Sequence, residues 1–209
     1  MFSYYEKHQI RFQDPLCTEE ELACFACSPW TLEFLLGRIA EPVNVMSQNN
    51  ALRLLRYFPK LYGKQQQVRE TLLNVCGQYP NVPAALCRLA IIVLMEQRLS
   101  SHDVTERLMD LYGQEENDYI RWGLYEYLLE TKEQDRYVQF FLDGLPLVLE
   151  QTSQGNRISD EQFVLLDGLG CMEAPDSVAK VFAWLTKYVV RSTHLWERMV
   201  DHLCLQAEF

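Results

Sequence analysis

Three cysteines near the N-terminus have the types and spacing that metal or redox chemistry uses. Cys24 and Cys27 form a Cys-x-x-Cys pair, and Cys17 lies seven residues before the first of them. A structural zinc needs four ligands, usually two close pairs on tight turns. Here the nearest histidine is His8, and no second closely spaced Cys/His pair follows anywhere in the chain. A thioredoxin-type motif needs a strand before it in an α/β pattern, and no strand signal precedes Cys24. The stretch reads instead as a helix turn. Thr18 and Glu21 form a capping box, Leu22, Phe25 and Ala26 make an apolar side, and cysteine packs there as a small hydrophobe.

Near the other end, His194, His202 and Cys204 lie close in sequence with Glu197 between them. Residues eight apart share a helix side only approximately, and no acidic partner completes a hydrolase or metal set. The 29 acids place no identifiable general acid/base pair, and the acidic stretch "GQEENDY", Gly113 to Tyr119, reads as an inter-helix turn that favours the next helix dipole. No catalytic residue, metal or cofactor is therefore expected, and the chain does not read as an enzyme.

Binding chemistry is better supplied. Between Asn44 and Arg69 there is no acid, yet there are five cations, Arg53, Arg56, Lys60, Lys64 and Arg69. With a net charge of −10, the rest of the chain carries −15. Arg53, Arg56 and Lys60 fall three and four apart, one helix face, and Tyr57, Phe58 and Tyr62 are interleaved with them. Arginines among aromatics grip protein partners, phosphates or bases; they also satisfy a chain's own acids. A second aromatic series, Tyr119, Trp122, Tyr125 and Tyr127, is expected to form core and groove wall, with Trp122 and Tyr125 on the face opposite Ile120 and Tyr127. The candidate partner-binding residues are thus Arg53, Arg56, Lys60, Lys64, Arg121, Trp122 and Tyr125.

The elements that position these groups read as helices throughout. Ser28-Pro29 and Ala174-Pro175 mark helix starts, as does Ser159 with Gln162. Gly63, Gly77, Gly113, Gly144 and Gly155 fall where helices are expected to stop or turn. "LLNVCGQ" at Leu72 and "LMDLYGQ" at Leu108 repeat at an offset of 36. At that offset Val68, Leu72, Val75 and Cys76 match Val104, Leu108, Leu111 and Tyr112, and Leu32, Leu36, Ile39 and Ala40 have the same spacing one step earlier. Each set is one face of a helix. Ala84, Ile91 and Ile92 likewise align with Ile120, Tyr127 and Leu128.

A period near 36 with two amphipathic helices per period predicts an all-α array of antiparallel helix pairs. The pairs read as 18–40, 47–58 with 65–77, 82–97 with 101–112, 117–130 with 135–145, 159–170 and 175–206. One helical-repeat domain then covers residues 1–209, with more regular repeats over 1–149, a polar loop at 150–162 and terminal helices over 163–209. The last segment ends without a cap, as expected of a piece of a longer protein.

This organisation resembles HEAT-type α-solenoids. "NDYIRWGLYEYLLE", Asn117 to Glu130, looks like the inner helix of such a repeat, with Asn117, Ile120 and Arg121 at the positions of the family's Asp-x-x-Val-Arg. The preceding unit has Asn81, Ala84 and Ala85 there, so the arginine is missing. Tyr119 to Leu145 is also similar to helical segments C-terminal to the ATPase core of bacterial STAND (NACHT-like) antiviral proteins. That resemblance implies a ligand-sensing segment; no phosphate loop is present in this chain. The function expected is protein–protein recognition, with a free-standing adaptor or scaffold, or a nucleic-acid-binding helical repeat, as the alternatives.

Composition agrees with that class. At 48% hydrophobic and 23% charged residues the chain can build a core. The longest uninterrupted apolar run, Leu89 to Met95, is far short of a bilayer crossing. The negative charge disfavours nonspecific binding to nucleic acid. Without a signal sequence the seven scattered cysteines read as reduced thiols of a cytoplasmic protein.

Overall fold

The computed structural model describes residues 29–41, 44–58, 61–153 and 160–188. Among these residues there are nine helices and no strand. They are α1 (Pro29–Ala40), α2 (Val45–Arg56), α3 (Gln65–Gly77), α4 (Ala84–Glu96), α5 (His102–Tyr112), α6 (Asp118–Glu130), α7 (Val138–Ser153), α8 (Asp160–Gly170) and α9 (Pro175–Tyr188). Prolines open α1 and α9, where a missing N–H costs no helical hydrogen bond. Alternate helices begin at Pro29, Gln65, His102, Val138 and Pro175, in steps of 36, 37, 36 and 37 residues.

The chain divides into two compact units, Met1–Gly123 and Leu124–Phe209. In the first, α1 packs on α2 and α3 on α4, and each also packs on the helix two further along: α1 on α3, α2 on α4, α3 on α5. The buried stripes explain this. Leu32, Leu35, Leu36 and Ile39 of α1, Val68, Leu72, Leu73, Val75 and Cys76 of α3, and Val104 and Leu108 of α5 are all buried. None of these helices can cover such a stripe alone, and full burial of one such side chain contributes about 1.5–3 kcal/mol. In the second unit α7 packs on both α8 and α9, and Tyr125 lies with its ring centroid 4.9 Å from those of Phe140 and Phe141.

Long polar side chains tie one helix end to another. The Gln97 amide donates to the carbonyls of Leu55 (2.8 Å), Arg56 (2.9 Å) and Phe58 (3.2 Å), at the end of α2. Gln48 donates to Ile39 O at 2.9 Å, and Gln134 to Cys171 O at 3.0 Å. These carbonyls belong to the last turns of α1, α2 and α8, or to the residues just beyond them, where no intrahelical donor remains.

Asp135 does the reverse at a helix start. Its carboxylate accepts the N–H groups of Glu173 and Ala174, both at 3.1 Å, just before α9. Burial raises its pKa, but the Glu173 N–H, the Ser177 hydroxyl and the Ala174 N–H outweigh that and hold it below the ordinary 3.8. A lowered folded-state pKa adds stability above the unfolded value, and that stability is lost as pH falls through the folded value. Asp135→Ala should therefore cost about 1 kcal/mol at neutral pH. The deficit should shrink as pH is lowered below 3.8, which urea titrations along a pH series would measure.

The expected pairing of 47–58 with 65–77 and of 82–97 with 101–112 is shifted by one helix: the consecutive helices that pack closely are α1 with α2 and α3 with α4. Two further expected features are corrected. Gly144 does not end a helix: it lies inside α7, which runs on through Pro146 to Ser153. The polar stretch expected as a loop at 150–162 is thus helical over 150–153 and again over 160–162. An interior proline costs about 3 kcal/mol, less than the burial of Phe140, Phe141, Leu142 and Leu145 together returns. Leu111 is the other departure. It is 47% exposed, although Val75 and Ile39, at the same place in the repeat, are buried. Residues 18–28, Gly155 and 189–206 lie outside the described residues.

Candidate interaction surface

Two of the five cations of the basic window, Arg56 and Lys64, are paired with the chain's own acids. Arg53 and Arg56 lie in the last turn of α2, both half-buried. The Arg56 guanidinium grips the carboxylate of Glu96, on α4, through both Nε and Nη2. Lys64 Nζ bonds the Glu33 carboxylate of α1. Arg69 reaches Gln66 at 3.5 Å, and Lys60 lies outside the described residues. Outside the window, Arg107 pairs with Glu70 at 2.9 Å. Of the three alternatives the sequence leaves open for these cations, the contacts of Arg56 and Lys64 match the pairing with internal acids.

Reversing Arg56 is consequently not a neutral probe of binding. Arg56→Glu sets two carboxylates together and should destabilise the chain by about 1 kcal/mol, the scale of a partly exposed pair lost and a like-charge pair gained. Adding Glu96→Arg should recover most of that. Thermal melts of both variants check it; equal melting of the single and double variants would refute the pairing.

The aromatic series of α6 divides. Tyr125 is 1% exposed, wedged between Phe140 and Phe141, with its hydroxyl aimed at Phe140 O. It is a core residue, which corrects its assignment to a partner-binding face: α6 buries Ile120, Leu124, Tyr125, Tyr127 and Leu128, more than one stripe's width. Trp122 is half-buried and Tyr119 is 54% exposed, their ring centroids 6.4 Å apart. Arg121 donates through Nη1 to Glu115 O at 3.3 Å, across the turn that begins α6.

Of the other exposed aromatics, Tyr57 and Tyr62 belong to the basic window, whereas Trp30 is not a sequence candidate. Trp30 is 79% exposed on the first turn of α1, and Tyr57 and Tyr62 flank the connection from α2 to α3. The repeat register holds a signal for Trp30. Counted from each helix start, its place is taken by Gln66 in α3, Asp103 in α5, Gln139 in α7 and Asp176 in α9. A tryptophan in that polar series stands out.

The described thiols are poorly suited to nucleophilic or redox chemistry. Burial, and next to it the neighbouring Cys87, push the Cys76 thiol up; burial also pushes up Cys87. Cys171 is raised by burial and by Asp167 and Glu173. A raised thiol holds its proton and attacks slowly. Cys17, Cys24, Cys27, His194, Glu197, His202 and Cys204 lie outside the described residues. Among the described residues no group of three His, Cys, Asp or Glu side chains is placed to hold a metal, and no helix is long and apolar enough to cross a membrane.

Comparisons with protein-family models, curated proteins and solved structures find nothing that matches this chain.

Proposed function

We propose that this chain is a protein-recognition module made of stacked helical hairpins, a short HEAT-like α-solenoid. The carrying observation is the type of side chain left in solvent. Trp30, Tyr57, Tyr62 and Tyr119 are exposed while the helices that bear or flank them have buried apolar stripes. Tryptophan and tyrosine bring large contact area at small entropic cost and are enriched at interface hot spots. The even stepping of alternate helix starts and the packing of α1 on α3, α2 on α4 and α3 on α5 support the array. The resemblance of Tyr119 to Leu145 to STAND proteins gives the reading a more specific form. In it the chain is the ligand-sensing segment of a larger cytoplasmic antiviral ATPase, in which partner binding shifts a conformational equilibrium.

The test is quantitative affinity enrichment from the native host with the full chain and two surface variants, Trp30→Ala and Tyr119→Ala. A protein retained by the wild-type chain and depleted at least tenfold with either variant, at unchanged melting temperature, supports the reading. Equal recovery of every protein with all three chains contradicts it.

A further inference from the structure

We propose that the turn from α5 to α6 recognises a basic segment of a partner protein, one that presents arginine or lysine side chains. This deepens the recognition reading and rests on it. The surface has an aromatic centre. Tyr119, 54% exposed, and half-buried Trp122 lie with ring centroids 6.4 Å apart and planes tilted by 54°. Leu111, also exposed, stands on the last turn of α5, before the same connection. Sequence pattern would bury it; in solvent it offers an apolar surface to the aliphatic stem of a long side chain.

In sequence the connection itself, Met109 to Ile120, is charged with one sign, and Arg121 follows it directly. From Met109 to Ile120 there are four acids, Asp110, Glu115, Glu116 and Asp118, and no lysine or arginine. Glu115 is taken up locally: its Oε1 accepts the N–H groups of Glu116 (3.1 Å) and Asn117 (3.0 Å) and faces the Tyr79 hydroxyl at 3.4 Å. Asp110 and Glu116 are exposed and Asp118 half-buried, and none of the three forms an ion pair among the described residues. The nearest cation in sequence, Arg121, is directed to the Glu115 carbonyl.

Aromatic faces attract a cation through the ring quadrupole, and more strongly once water is excluded. Flanking carboxylates add to that attraction and fix its sign, and the chain's net charge of −10 steers cations inward from further off. The same carboxylates repel phosphate, so a nucleic acid does not fit this surface although its bases would stack on the rings.

The probe is a twelve-residue peptide of alternating arginine and leucine, titrated by calorimetry into the full chain. A peptide with glutamate in place of each arginine and a single-stranded oligonucleotide are the comparisons. Tyr119→Ala and Glu116→Lys should each weaken binding of the arginine peptide by about tenfold. Glu130→Lys, the same change in net charge about 18 Å from the start of α6, should leave it within twofold. Failure of the arginine peptide to bind, equal weakening by Glu130→Lys, or tighter binding of either comparison overturns the proposal. Circular-dichroism melts confirm that each variant is folded. A host protein lost with Trp30→Ala but kept by Tyr119→Ala leaves the recognition reading standing and removes this surface from it.

Discussion

Gly144→Ala should destabilise residues 124–188 by about 1–3 kcal/mol, the usual range for atoms forced into a filled core. A Cβ at Gly144 would lie 2.2 Å from the Tyr125 hydroxyl oxygen and 2.5 Å from Leu165 Cδ1. Both neighbours are buried, so neither has open space to move into. The helix preference of alanine over glycine, about 1 kcal/mol, works against the clash and is too small to cancel it. Gly168 repeats the arrangement from the other side, where its Cβ would meet Phe141 Cε1 at 2.2 Å. Gly37 supplies the control. It lies inside α1 with nothing within 4 Å of its would-be Cβ, so Gly37→Ala should stabilise by about 0.5–1 kcal/mol. Urea denaturation followed by circular dichroism separates the cases, and a neutral Gly144→Ala would mean that α6, α7 and α8 are not packed as described.

Tyr112→Ala should cost about 3–5 kcal/mol, as large-to-small changes of buried aromatics do. The ring is buried at the end of α5, edge-on to Tyr79 with centroids 6.2 Å apart and planes at 77°. Its hydroxyl donates to the Cys76 carbonyl near the end of α3, a bond spanning 36 residues. Tyr112→Phe keeps the ring and drops that bond, so it should cost about 0.5–1.5 kcal/mol, the net worth of one hydrogen bond, because the Cys76 carbonyl still accepts the Tyr79 N–H at 3.2 Å. If the two variants were equally destabilised, the hydroxyl and not the ring would be holding this join.

These two sites mark where sequence reasoning stopped. The helices were legible because their signals are local: Pro29 and Pro175 open helices, Gly63 takes a left-handed φ of 76° between two of them, and the stripes on α1, α3 and α5 keep helical spacing. Gly144 has the same identity as Gly63 and a different reason. Its glycine serves a close approach by Tyr125 and Leu165, side chains 19 and 21 residues away, which no local pattern encodes. Pro146 stays inside α7 for a reason of the same kind, since distant burial decides whether a helix survives a proline. Leu111 could not be told from Val75 by spacing, because its exposure depends on what covers α5.

The candidate site was legible in type more than in place. The basic window is real in composition, but Arg56 meets Glu96 and Lys64 meets Glu33 across 40 and 31 residues, and sequence gives no such pairing. Tyr125 looked like a surface aromatic because α6 has aromatics around its circumference; two phenylalanines of α7 claim it. Trp30 was overlooked for want of a comparison between repeats at one register position.

The proposed array requires that each hairpin be held by its immediate neighbours. Amide hydrogen exchange of the full chain, wild type against Tyr112→Ala, tests it most directly within residues 29–123. Protection should fall by tenfold or more in α3 and α5, which Tyr112 joins, while α1 and α2 keep theirs within about twofold. A uniform loss of protection from α1 to α5 would show a single cooperative core and contradict the array.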